Sequence, residues 1–224
     1  MTRGFRNFFY NFAAECKLMQ EIKDLSPYRQ SLRDRILDTA VMLFAERGIR
    51  AVRMDDVAHA LSISKRTLYE LYDNKEQVLF EGIKKYRVRR HEEFMQAVER
   101  SEDVMDIILY FYRSRMEEFQ KVNPNFYSDL ARYPEILASF ERERDDQHRQ
   151  FMAFMERGIN EGYFRSDLNY DLIGRVFEAL GRYMMENELY RSYSMEELFR
   201  NMIFVSLRGF CTKKGVDKLD TFFT

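Results

Sequence analysis

MDDVAHALSISKRTLYELY, residues 54–72, carries two short apolar stripes separated by a tight turn. Val57 and Leu61 share a face at spacing four, and Leu68 and Leu71 share one at spacing three. Such spacings line one side of a helix. The pattern predicts helices over Met54–Leu61 and Lys65–Tyr72. Two helices joined by three or four residues cross steeply, and the crossing brings their backbones close. A small residue is then needed on the first helix, and Ala58 supplies it. Ile63 plugs the turn, and Ser64 is placed to cap the second helix by accepting a backbone N–H.

This arrangement leaves Lys65, Arg66, Thr67, Tyr69 and Glu70 for the outer face and N-terminal end of the second helix. When such a helix lies in the major groove of DNA, those positions reach base edges and phosphates. Arg66 can pair bidentately with guanine O6 and N7. Thr67 suits a phosphate or a thymine methyl, and the Tyr69 hydroxyl suits a phosphate. Lys75 opens the next helix, where the helix dipole adds to its own charge against a phosphate. Arg53, just before the first helix, is a further phosphate candidate. The competing reading is an ordinary amphipathic helix pair with basic residues outside.

The pattern extends on both sides. Ser26-Pro27 is a cap followed by the residue preferred at the first helical position. Leu32, Ile36, Ala40, Leu43 and Phe44 repeat at helical spacing until Gly48 stops the run. Asn74 and Gln77 then start a long helix reaching about Arg100. Further helices are expected over Asp103–Val122, Phe126–Arg132, Pro134–Glu161, Tyr170–Tyr190 and Met195–Thr212. With 9 Gly and 3 Pro in 224 residues and no sustained alternation of period two, the fold class is all-α.

Charge is unevenly distributed. Residues 26–90 hold 14 Lys/Arg against 9 Asp/Glu, and residues 91–224 hold 18 against 25. A basic front and an acidic rear suit a chain whose front alone meets a polyanion. Cys16 and Cys211 lie at opposite ends without metal-ligand spacing, so no zinc site or disulfide framework is indicated. His59, His91 and His148 pair with no Ser or Cys in a recognisable context, and no Gly-rich phosphate loop occurs. Asp145 and His148 make two metal ligands at most, short of a site. The expectation is a non-enzyme with no metal and no cofactor. No apolar run is long enough to span a membrane, and a cytoplasmic location is expected.

Ile36-Leu37, Ala40, Leu43-Phe44, Gly48, Met54–Ala58, Ile63–Tyr69 and Asn74–Glu76 resemble the N-terminal domain of TetR-family regulators. The resemblance covers about residues 30–85. It implies that Lys65, Arg66, Thr67, Tyr69 and Lys75 meet DNA. It implies three helices in an N-terminal helix-turn-helix domain and a C-terminal helical body that binds a small ligand and dimerises. Three positions depart from the pattern. Ser62 stands where glycine is usual, at a cost of roughly 1 kcal/mol if its φ is positive. Arg53 replaces the usual capping Ser/Thr, and Leu71 replaces an aromatic.

The expected division is an extension over 1–25, the helix-turn-helix domain over 26–74, and a regulatory and dimerisation domain over 75–224. In the body, Gly158–Arg165 is similar to a helix end common in the family. Candidate ligand contacts are Tyr110, Phe111, Tyr127, Phe151, Met155, Phe177 and Tyr183, which equally suit plain core packing. The acidic run Glu141–Asp146 reads as a solvated helix face. The function expected is a dimeric, sequence-specific repressor on a palindromic double-stranded operator, released by a small apolar effector. Two alternatives stay open: a ligand-independent DNA-binding protein acting through a protein partner or in chromosome organisation, and a helical enzyme.

Overall fold

The computed structural model describes residues 26–141 and 144–223, so the expected extension over 1–25 lies outside the described residues. The helices are α1 (Pro27–Arg47), α2 (Met54–Ala60), α3 (Lys65–Tyr69), α4 (Lys75–Arg100), α5 (Val104–Lys121), α6 (Pro124–Leu130), α7 (Pro134–Glu141), α8 (Arg144–Asn160), α9 (Tyr170–Glu186), α10 (Met195–Leu198), α11 (Val205–Phe210) and α12 (Lys213–Phe223). A π-helical stretch, Phe199–Phe204, joins α10 to α11. The described residues contain no strand beyond an isolated bridge between Phe164 and Cys211. The fold is all-α, as the spacing predicts.

Two compact units emerge, one from residues 26–91 with Lys121–Ile136, the other from Glu92–Gln120 with 137–223. In the first, the three-helix head buries Ile36, Ala40, Phe44, Ile49, Val52, Val57, Leu68 and Leu79 almost completely. α4 packs closely on α1 because Gly82 has no side chain: a Cβ there would lie 2.7 Å from Val41 Cγ2. The Arg33 guanidinium bonds Glu81 at 2.8 Å and lies 4.8 Å from the centre of the Tyr72 ring. Gly48 ends α1 with φ of 87° and ψ of 151°, a region essentially confined to glycine. α6 docks there. The Asn123 N–H donates to Ala45 O at 2.7 Å, and the buried Asp129 carboxylate accepts from the Arg50 N–H at 2.8 Å.

The second unit is built around Val104, Met105, Met155, Phe164, Phe199, Phe204, Phe210 and Leu219. The turn after α8 uses Gly162 at φ 78° and folds Phe164 back over Gly158. There the Phe164 ring meets Phe210 edge-on at 5.4 Å. Asp103 caps α5 by accepting the Met105 and Asp106 N–H groups at 2.9 and 3.1 Å. Its other oxygen accepts from the Tyr163 hydroxyl at 2.7 Å and from Lys218 of α12. The described residues of the helix expected over Pro134–Glu161 are helical from Pro134 to Glu141 and from Arg144 to Asn160. Two regions differ from the sequence reading. The helix expected to Tyr190 ends at Glu186, followed by a 3₁₀ turn at Leu189–Arg191 entered through Glu188 at φ 48°. α12 was not expected at all; Gly215 and its many charges mask a stripe of Val216, Leu219 and Phe222.

Burial alone would raise the Asp103 pKa. Hydrogen bonds from Lys218 and Tyr163 outweigh it and hold the carboxyl below the usual range. Stability from Asp103 is therefore present above the unfolded value of about 3.9 and is lost as pH falls through the lower folded value. Asp103→Asn is expected to lower the melting temperature at neutral pH. In thermal denaturation at several pH values, its gap to the wild type should narrow below about pH 4.

Candidate nucleic-acid interface

α2 and α3 form the helix-turn-helix. Ala58 is 2% exposed at the crossing, and its carbonyl accepts the Ile63 N–H at 3.0 Å across the turn. Ser62 sits at φ 54°. The left-handed turn is thus made by a serine, at a cost of about 1 kcal/mol relative to glycine. Ser64 caps α3, its Oγ accepting from the Thr67 N–H at 3.0 Å. Arg53 has no side chain able to cap α2. Asp56 compensates: its carboxylate accepts the Arg53 N–H at 2.7 Å. The sequence carries that signal as an acid at the third helical position.

The outer face of α3 carries what the spacing assigned to it. The Arg66 side chain is 89% exposed and the Lys65 side chain 65%. Tyr69 is half exposed. The Thr67 hydroxyl shares a hydrogen bond with Ser64 Oγ. Arg53 is exposed, its side chain on the same loop that enters α2. Leu71, atypical in the sequence, is buried and belongs to the core of the head. Acidic partners hold the outward cations: Asp55 pairs with Lys65, and Glu70 pairs with Arg66 and faces Arg29.

Lys75 differs from the picture of an extended phosphate contact. Its Nζ donates to Ile49 O at 2.8 Å and Val52 O at 2.9 Å. Close by, Asn74 Oδ1 accepts the Gln77 N–H at 2.8 Å, while Gln77 Oε1 accepts the Asp73 N–H at 2.9 Å. The predicted box at the start of α4 therefore exists, with its return bond one residue earlier.

Two features meet here: a tightly closed helix pair and a capped second helix with a basic outer face. Residues 36–81 match the family described as bacterial regulatory proteins, tetR family. The head of this chain is thus a TetR-family domain. It is 28% identical over 152 residues to the HTH-type transcriptional repressor KstR2 of Mycobacterium tuberculosis, covering 65% of this chain and 75% of that one. It is 25% identical over 150 residues to KstR2 of Mycolicibacterium smegmatis, covering 65% and 73%. Over 47 residues it is 40% identical to the biofilm operon regulator IcaR of Staphylococcus epidermidis, covering 21% of this chain and 25% of that one.

The fold extends beyond the head. The solved structure of the M. tuberculosis ketosteroid transcriptional regulator KstR2 aligns with a TM-score of 0.54 at 21% identity, covering 81% of this chain and 96% of that one. A TetR-family regulator from Cytophaga hutchinsonii aligns at 0.64 and 15% identity, covering 85% and 100%. This chain is a DNA-binding transcription regulator; its relatives are regulators and not enzymes. No helix among the described residues is long and apolar enough to cross a membrane.

The ligand candidates divide. Met155 is buried in the second unit's core, and Phe111, Phe151 and Phe177 pack against it. Tyr183 is 56% exposed. Tyr127 lies in the other unit, edge-on to Phe126 at 5.6 Å. Tyr110 packs near Phe94 and lines an open pocket of about 430 Å³ with Glu93, Gln96, Ala97, Arg100, Ser101 and Asp106. Its lining residues are mostly polar or charged in type, yet the surface they present is more apolar than polar. No cluster of three or more metal-ligating side chains occurs among the described residues.

Removing the Lys75 ammonium leaves two carbonyls of the 49–52 loop without their donor. Lys75→Met is expected to destabilise the protein by about 1–3 kcal/mol, the usual range for a lost charged hydrogen bond, read from urea denaturation.

Proposed function

We propose that this TetR-family regulator is a dimeric repressor of a palindromic operator, released by a small apolar effector. The observation that carries the DNA reading is the exposed Arg66 on the capped, outward-facing α3. Arg66 reads a guanine, while Arg53, Ser64, Lys65, Thr67 and Tyr69 hold phosphates or neighbouring bases. Lys75 acts first by closing the 49–52 loop and adds positive charge beneath the phosphate backbone. Residues 26–74 form the reading domain and residues 75–224 the regulatory and dimerisation domain.

Dimerisation is supported by α9. Leu172, Val176, Ala179 and Tyr183 form an exposed stripe at spacings of three and four, and Val205 of α11 is 61% exposed. A symmetric pair of such faces suits a two-fold protein reading two half-sites one helical turn apart. Effector release is supported by the aromatic and Met-rich body and by the likeness to KstR2, a ketosteroid regulator by description. An effector that favours one body conformation displaces α4, which runs from the head into the body, and so changes the half-site spacing. A second reading, without an effector, is favoured by the packing of Met155 and Phe177 as core. Thermal shifts with apolar sterol-like compounds separate the two.

Selection of bound duplexes from a random pool tests the main reading. A two-fold symmetric consensus is the expected result, and a half-site without symmetry counts against the dimer. Arg66→Ala should lose preference at one base pair of each half-site, at a cost of about 1–3 kcal/mol. Uniform loss across sequences would exclude base reading by Arg66.

The stripe on α9 gives a second outcome. Val176→Asp is expected to yield monomers in analytical ultracentrifugation and at least about tenfold weaker binding to the palindrome, since a charge opposite its own copy opposes a two-fold apolar contact.

A further inference from the structure

Glu70 is the one acid on the outer end of α3, and sequence reasoning finds it out of place against DNA unless it accepts from a cytosine amine. The structure gives it another occupation. Its Oε1 accepts from Arg66 Nε at 3.0 Å, and its Oε2 lies 3.8 Å from Arg29 Nη2. Arg29 belongs to the first turn of α1, which Ser26 caps. One carboxylate thus lies between a cation of the reading helix and a cation of the helix behind it.

A guanidinium has two edges that can hydrogen-bond in pairs. One contains Nε and the other is formed by the two Nη groups. A grip through Nε keeps the two-Nη edge for a bidentate partner such as guanine O6 and N7. The Arg66 side chain is otherwise 89% exposed, with several rotatable bonds. Ordering it before contact removes part of the entropy cost of reading the base. Glu70 itself is held on its second oxygen by the Arg29 charge, which limits its own swing toward DNA.

We propose that Glu70 is a specificity-determining positioning residue: it holds Arg66 through Nε in the orientation that reads guanine, and it does so without touching a base. The proposal rests on the assignment of Arg66 as the base reader. Glu70 also repels phosphates, so it trades general affinity for selectivity. Those two effects have opposite signs, which a purely structural role does not produce.

The test uses the full-length protein and random-pool selection followed by competition binding on the selected duplex and on a scrambled one. Wild type, Arg66→Ala, Glu70→Ala, Glu70→Gln and Arg29→Ala are compared, with circular dichroism confirming the helical fold of each. Arg66→Ala should lose preference at one base pair by about 5- to 150-fold. Glu70→Ala should lose about two- to threefold at that same base pair, the size of an exposed pair one helical turn apart, while binding the scrambled duplex more tightly. Glu70→Gln keeps an acceptor for Nε and removes the charge. It should retain more of the preference than Glu70→Ala with the same gain on scrambled DNA. Arg29→Ala should lower the preference at that base pair without raising affinity for scrambled DNA.

An unchanged preference in Glu70→Ala overturns the proposal. A change at a different base pair also overturns it and makes Glu70 a direct reader. If Arg66→Ala changes no single position, the assignment of Arg66 fails as well, and that failure is visible without any Glu70 variant.

Discussion

The ammonium of Lys75 donates to the carbonyls of Ile49 and Val52, and from this contact the geometry of the head follows. The loop between α1 and α2 must turn sharply after Gly48 and exposes backbone oxygens as it does so. A single cation at the start of α4 satisfies two of them. From the other side, Asp129 of α6 accepts the Arg50 N–H. The loop is therefore held by a positive group and a negative group, each matched to the backbone partner it needs. That grip fixes where α2 begins, and α2 fixes where α3 points. The helix proposed to read DNA, α3, has only five residues, Lys65–Tyr69. It is too short to be stable alone, and its orientation is borrowed from this framework.

The surface of α3 is economical with free charge. Lys65 has Asp55, and Arg66 has Glu70 with Arg29 behind it. Exposed pairs of this kind contribute little stability, about 0–1 kcal/mol; under the proposed reading their value lies in orientation and in restraining non-specific attraction to phosphate. A regulator must find one site among many similar ones, and the specificity ratio matters more than raw affinity. An acid on a helix proposed to face DNA is consistent with that demand.

The second unit follows a different logic. Its core is aromatic, with Phe164, Phe210, Tyr170 and Phe177 meeting edge to face. Its polar ties gather on Asp103, which caps α5, accepts from Tyr163 and pairs with Lys218 of α12. The C-terminal helix is thereby fastened to the start of α5. Along α9 the apolar stripe of Leu172, Val176 and Tyr183 stays exposed in the single chain.

The sequence by itself determined the helices of the head, their caps at Ser26, Ser64 and Asn74, the stop at Gly48 and the outward set on α3. All of these follow from spacing within one or two turns, where the chain's own geometry decides which side chains are neighbours. It also marked Ser62 as the strained turn residue. Only the tertiary structure decided that Lys75 faces inward onto Ile49 and Val52, and that Asp129, 79 positions after Arg50, completes the loop. It separated Tyr127 from the other ligand candidates and added α12. Those contacts join residues far apart in the chain, and no local period encodes them. The physical reason is one of range: helices form from neighbours along the chain, while the partners of a buried charge are chosen by whichever elements the packing brings together.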